Sequence, residues 1–149
     1  MSWTVWCDGS GTTGGPGGIG FTAKKHDGKI LEGSLPLPNA TNQQAELLAA
    51  AYALAQIPAG QTVTVFSDSE YLVSGYAKVY GWRARGWRRD RGAVANVRHW
   101  ERLLAAVRLH RQVSMHWVRG HADCEENERA DKLAGAARAE AKRTAGLAA

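Results

Sequence analysis

Residues 5–11 read VWCDGSG, and the step from apolar residues to an aspartate followed by glycine and serine governs the rest of the reading. Val, Trp and Cys suit a buried strand, whereas Asp and Gly are depleted inside one. Asp8 therefore marks the place where a first strand over Trp3–Cys7 is expected to run out, with a carboxylate on a rigid base. Outward from there, apolar runs predict strands over Ile19–Lys24, Ile30–Leu35, Thr62–Phe66 and Val113–Val118. GTTGGPGG (residues 11–18) and HDGK (residues 26–29) punctuate the first three, so these form an antiparallel meander.

From residue 41 the pattern becomes helix, strand, helices, strand, helix. TNQQ places Thr41 and Gln44 at capping-box spacing, and Leu47, Leu48, Ala51, Leu54 and Ala55 then make one apolar stripe that should stop before Pro58. Short helical segments are expected after Asp68 and before Gly81. A longer helix carries Val97, Trp100, Leu103, Leu104 and Val107, and a last one begins after HADCEEN and buries Ala130, Leu133, Ala134 and Ala137. The Ala-rich tail from about residue 143 is expected to fray. The expected architecture is one domain over residues 1–149, a mixed sheet flanked by helices.

With 149 residues, 44% of them apolar, the chain can bury a core of ordinary size. It begins without a signal-like segment and holds no run of about 20 apolar residues, so a cytoplasmic protein with no membrane span is expected. Cys7 and Cys124 lack the spacing of a zinc or disulfide motif and read as thiols. The net charge of +5 is concentrated in WRARGWRRDRG (residues 82–92), where arginines alternate with Trp82 and Trp87, as expected of a face that meets a polyanion.

On this scaffold Asp8 and Asp68 end neighbouring strands, where open sheets bind ligands, while Glu46 and Asp131 approach from helices. Gathered carboxylates raise one another's pKa unless a cation neutralises them. An oxygen-only donor set selects a hard cation such as Mg²⁺, and two such ions about 4 Å apart can activate water and stabilise the leaving oxygen of a phosphodiester. Each residue also has a plainer use. Asp8 could shape a turn, Asp68 could cap a helix, and Glu46 and Asp131 could be solvated helix residues.

DGS, GPGG, TNQQAEL, SDSEYL, GWRARGW, NVRHWERL and HWVRGHADCEENERADKLA occur in the order and spacing of bacterial type 1 ribonuclease H. The chain resembles that family from Val5 to about Ala137. The resemblance implies a five-stranded mixed α/β sheet, a three-stranded antiparallel meander plus two parallel strands, flanked by helices. It also implies an endonuclease that cuts the RNA strand of RNA/DNA hybrids with two Mg²⁺ ions, Mn²⁺ being an alternative, and leaves 5′-phosphate and 3′-hydroxyl ends. The family's metal-binding acids fall on Asp8, Glu46, Asp68 and Asp131, and its loop histidine, which assists proton transfer and product departure, on His121. The remaining histidines, His26, His99, His110 and His116, match no such position.

Recognition of a hybrid needs short polar groups near 2′-hydroxyls in the wide minor groove. By resemblance Gly9, Ser10, Gly11, Asn42 and Gln44 lie along that groove, and Thr41 meets a DNA-strand phosphate; capping of the helix is an equally good use of Thr41 and Gln44. Residues around 78–95 resemble the family's basic protrusion, with Arg83, Arg85, Arg88 and Arg89 toward phosphates and Trp82 and Trp87 as supports or sugar contacts. A solvated basic helix is the alternative. The chain departs from the family pattern in a shorter first loop, in a protrusion with one tryptophan fewer before Trp82, and in Glu70 where relatives often have Gln. A monomer acting on hybrid duplexes is expected; a hybrid-binding module without catalysis and another nuclease of the wider fold are the competing readings.

Overall fold

The computed structural model describes residues 1–120 and 124–148. The strands are β1 (Ser2–Ser10), β2 (Gly17–Lys25), β3 (Ile30–Leu37), β4 (Thr62–Ser67), β5 (Arg88–Arg89), β6 (Gly92–Ala93) and β7 (Gln112–Trp117). The helices are α1 (Asn42–Gln56), α2 (Glu70–Ala84), α3 (Val97–Val107) and α4 (Glu125–Ala148). A five-stranded sheet runs β3-β2-β1-β4-β7. Its β1–β2 and β2–β3 pairs are antiparallel, and its β1–β4 and β4–β7 pairs are parallel.

Asp8 is not at a strand end, contrary to the sequence expectation. Antiparallel pairing with β2 continues through Asp8↔Gly20 and Ser10↔Gly18, while parallel pairing with β4 stops at Trp6↔Phe66. Only the β4 side of the strand runs out. Glycine is tolerated inside β1 and β2 because helices lie directly on the backbone there. A Cβ at Gly9 would overlap the α1 backbone at Ala45, and one at Gly18 or Gly20 would meet α4 around Ala134. Gly9 and Ser10 point to opposite faces by strand alternation, so α1 and α4 cover opposite faces of the sheet.

The apolar stripes meet as expected: Val5, Phe21, Leu47, Leu54, Val65, Leu72, Trp100 and Leu103 are all buried in one core. Leu133 is only half-buried, and the α4 contact is carried by Ala130, Ala134, Ala137 and Ala141. Two short segments expected around Asp68 and Gly81 are instead the single helix α2. Its buried Leu72 and Val79 are seven residues apart on one face, and Gly81 has open space around it, so its cost of about 1 kcal/mol against Ala is outweighed by that packing. Helix α4 extends through the Ala-rich stretch to Ala148. The turn at Asp27–Gly28 is closed by Gly28 at φ +95° and by Asp27 Oδ1 accepting from the Lys29 amide at 3.0 Å.

Candidate active site

Four elements deliver carboxylates to one cleft of about 530 Å³. Asp8 comes from β1, Glu46 from the second turn of α1, Asp68 from the residue after β4, and Asp131 from α4. Ligand atoms of Asp8, Glu46 and Asp68 all lie within 4.8 Å of one another. Asp131 lines the same cleft from the α4 side.

The local sequence explains why these side chains converge. Thr41 accepts from the Gln44 amide at 3.2 Å and Gln44 Oε1 from the Thr41 amide at 3.1 Å, which completes the capping box and fixes the start of α1. Glu46 then faces Gly9, whose amide donates to both Glu46 Oε1 and, at 3.0 Å, Asp8 Oδ1. One backbone N–H thus bridges two acids, at the position where any Cβ would push the helix away. Ser69 caps α2 by accepting from the Leu72 amide at 3.1 Å. The Trp117 indole donates to the Asp68 carbonyl at 3.1 Å, and a Cβ on Gly120 would come within 3.1 Å of Asp68 Oδ2.

Burial sets the electrostatics. Asp8 is 8% and Glu46 5% exposed. Desolvation first, and then the Glu46 charge, raise the Asp8 carboxyl to about 10. Desolvation and the Asp68 charge lift Glu46 to about 7 against the lowering pull of the Gly9 amide. Without a cation the cluster therefore retains protons near neutrality, the behaviour of a donor set built for a divalent ion. All the donors are carboxylate oxygens, which fits Mg²⁺ or a similar hard cation.

Of the expected groove residues, Gly9, Ser10 and Asn42 line the cleft. Gly11 packs against the backbone of Ala40 and Thr41, where a Cβ has no room. Gln44 spends its amide group on Asn96 Oδ1 at 3.2 Å, and Asn96 donates to the Tyr71 hydroxyl at 3.0 Å. Arg83, Arg85, Arg88 and Arg89 are exposed, whereas Trp82 and Trp87 turn inward, Trp82 edge-on to Trp100 at 5.8 Å. Glu70 lines the cleft, as does Tyr71. His121 lies outside the described residues.

Two residues here escaped the sequence reading. Asn96 adopts φ +61° at the start of α3 and caps nothing, its side chain being committed to Gln44 and Tyr71. Asn127 is 4% exposed, lines the cleft, and its Oδ1 has no partner among the described residues. Its spacing of four from Asp131, which places both on one helix face, was the available signal.

The RNase H family model matches residues 1–139. The Ribonuclease H of Bradyrhizobium diazoefficiens is 45% identical over 136 residues, which cover 88% of this chain and 86% of that protein. LC9-RNase H1, a type 1 RNase H with the type 2 active-site motif, superposes with a TM-score of 0.80 at 32% identity, covering 93% of this chain and 72% of that one. The foamy viral protease-reverse transcriptase solved with an RNA/DNA hybrid shares the fold, with a TM-score of 0.74 at 20% identity over 91% of this chain and 20% of that one.

Proposed function

The chain belongs to the RNase H family, and we propose that it hydrolyses the RNA strand of RNA/DNA hybrids at the Asp8–Glu46–Asp68–Asp131 cleft. The observation that carries this reading is the convergence of Asp8, Glu46 and Asp68 within 4.8 Å on a family-matched fold. In this reading Asp8, Glu46, Asp68 and Asp131 hold divalent ions, Mg²⁺ by donor chemistry. When bound, two such ions supply water activation and charge neutralisation for phosphodiester hydrolysis with 5′-phosphate and 3′-hydroxyl products.

The chain's own groups do the rest. The Gly9 amide keeps the Glu46 and Asp8 carboxylates aimed into the cleft. Ser10, Asn42 and the Gly9–Gly11 backbone face the minor groove, where a 2′-hydroxyl distinguishes RNA from DNA. Thr41 and Gln44 build the start of α1 and bring it to the hybrid backbone. The exposed arginines of the protrusion, Arg83, Arg85, Arg88 and Arg89, hold phosphates, and Trp82 and Trp87 support them from behind. His121 moves a proton near neutral pH, a role suited to imidazole; the chain at Gly120, one residue before it, packs against Asp68. The protein acts as a single-domain cytoplasmic monomer. No described helix is long and apolar enough to cross a membrane.

The test is cleavage of matched RNA/DNA, RNA/RNA and DNA/DNA duplexes, each with and without Mg²⁺. Cutting confined to the RNA of the hybrid and dependent on Mg²⁺ is expected; metal-independent cutting, or equal cutting of DNA/DNA, would overturn the reading.

A further inference from the structure

Arg138 lies seven residues beyond Asp131 on α4, a spacing that keeps both on one helix face about 10 Å apart along the axis. Its Nη1 donates to Ser10 Oγ at 3.1 Å. Ser10 lines the cleft beside Asp8 and Gly9. The helix reaches this close because Gly18, opposite Ser10 in the sheet, has no side chain: a Cβ there would collide with α4 at Ala134 and Arg138.

The guanidinium is half-buried, yet among the described residues no carboxylate lies within ion-pair distance of it, and its buried Nε has no acceptor. Arg129 on the same helix shows the usual arrangement, paired with Glu32 at 3.0 Å. Withdrawing a cation from water is costly, and a neighbouring anion ordinarily offsets that cost. Ser10, by accepting from Arg138, also keeps its own O–H available as a donor.

We propose that Arg138 and Ser10 form a contact for the sugar–phosphate backbone of the bound hybrid, beside the carboxylate cluster. The guanidinium neutralises a phosphate, and the serine hydroxyl, oriented by it, donates to an adjacent backbone oxygen. This rests on the reading of the cleft as an RNase H site. A planar guanidinium can serve Ser10 and a phosphate together, which a lysine cannot match.

The test compares the wild type with Arg138→Gln, which can still donate to Ser10 but carries no charge, and with Arg138→Lys, which keeps the charge. Hybrid binding is measured by fluorescence anisotropy without divalent metal across a salt series, together with steady-state cleavage and Tm. Arg138→Gln should weaken binding several-fold, reduce the log–log salt slope by about 0.9, and raise KM more than it lowers kcat. Arg138→Lys should keep the slope while losing part of the affinity. A wild-type slope and affinity in Arg138→Gln, whatever its Tm, would make Arg138 a structural tie and overturn the contact alone. Failure of the wild type itself to bind or cut the hybrid would remove the site reading and this contact with it.

Discussion

Asp8 and Glu46 are held with raised pKa values, so the folded chain keeps protons that the unfolded chain releases near pH 4. Their contribution to stability is full below those unfolded values and is lost as the pH rises through about 7 for Glu46 and about 10 for Asp8. Metal-free protein should accordingly show a Tm that falls between about pH 5 and 8, and Mg²⁺ should restore more of it at the upper end, because binding the ion must release those protons. A thermal-melt series with and without Mg²⁺ checks this, and a pH-independent Tm in chelator would contradict it. Asp8→Asn removes the repulsion, so it should raise the metal-free Tm and flatten its pH dependence. The same change should lower cleavage by at least about 10²-fold, since removal of groups that merely support metal ligands already costs 10–100-fold. His121→Ala should slow single-turnover cleavage by about 10²-fold, the lower end for a general acid or base, with Mg²⁺ affinity unchanged. Wild-type rates at every pH, or collapsed Mg²⁺ binding, would make His121 a structural residue.

Among the elements, the packing of α1 on β1 leaves no room for a side chain at Gly9. Gly9→Ala would place a methyl group in the Ala45 backbone and separate Glu46 from the Gly9 amide. Overpacking of this kind costs about 1–3 kcal/mol, so Tm, Mg²⁺ affinity and cleavage should all fall together; an unchanged Mg²⁺ isotherm would show that the helix position does not set the cluster. The protrusion should behave in the opposite way. Replacing Arg83, Arg85, Arg88 and Arg89 with Ala touches only exposed side chains, so KM should rise far more than kcat falls, and the salt slope of hybrid binding should shrink by about 0.9 for each phosphate that the protein no longer neutralises. An unchanged slope would make these arginines a solvated face. Apolar runs, turn dipeptides and cap chemistry made α1 and the five strands of the main sheet legible in the sequence, even though the edge strands β3 and β7 bury little. The unity of α2 was not legible, since Gly81 reads as a boundary in sequence, whereas in the fold the helix runs through it to Ala84 with open space around it. Nor was the mid-strand position of Asp8, because only the register shows that β4 stops short of it while β2 does not.

At the scale of the whole molecule, a mixed sheet with helices on both faces brings together acids that are 38, 22 and 63 residues apart along the chain, from Asp8 to Glu46 to Asp68 to Asp131. Strand-end logic foretold the meeting of Asp8 and Asp68. For the helix-borne Glu46 and Asp131 the resemblance decided between a cleft and a solvated face, because an acid on a helix looks the same in sequence in either place. Asn96 and Asn127 stayed hidden for a related reason: a left-handed φ and a buried amide oxygen without a partner among the described residues are properties of three-dimensional context. The central claim is that the gathered carboxylates hold divalent ions that make the cleft an RNA-cutting site. Single-turnover cleavage of a hybrid labelled on its RNA strand, followed across a Mg²⁺ titration for the wild type and Asp68→Asn, tests it most directly. Saturable, Mg²⁺-dependent cutting of the RNA by the wild type, reduced by at least about 10²-fold in Asp68→Asn at every Mg²⁺ concentration, is predicted; equal cleavage by the two proteins, or cleavage that survives removal of all divalent ions, would contradict it.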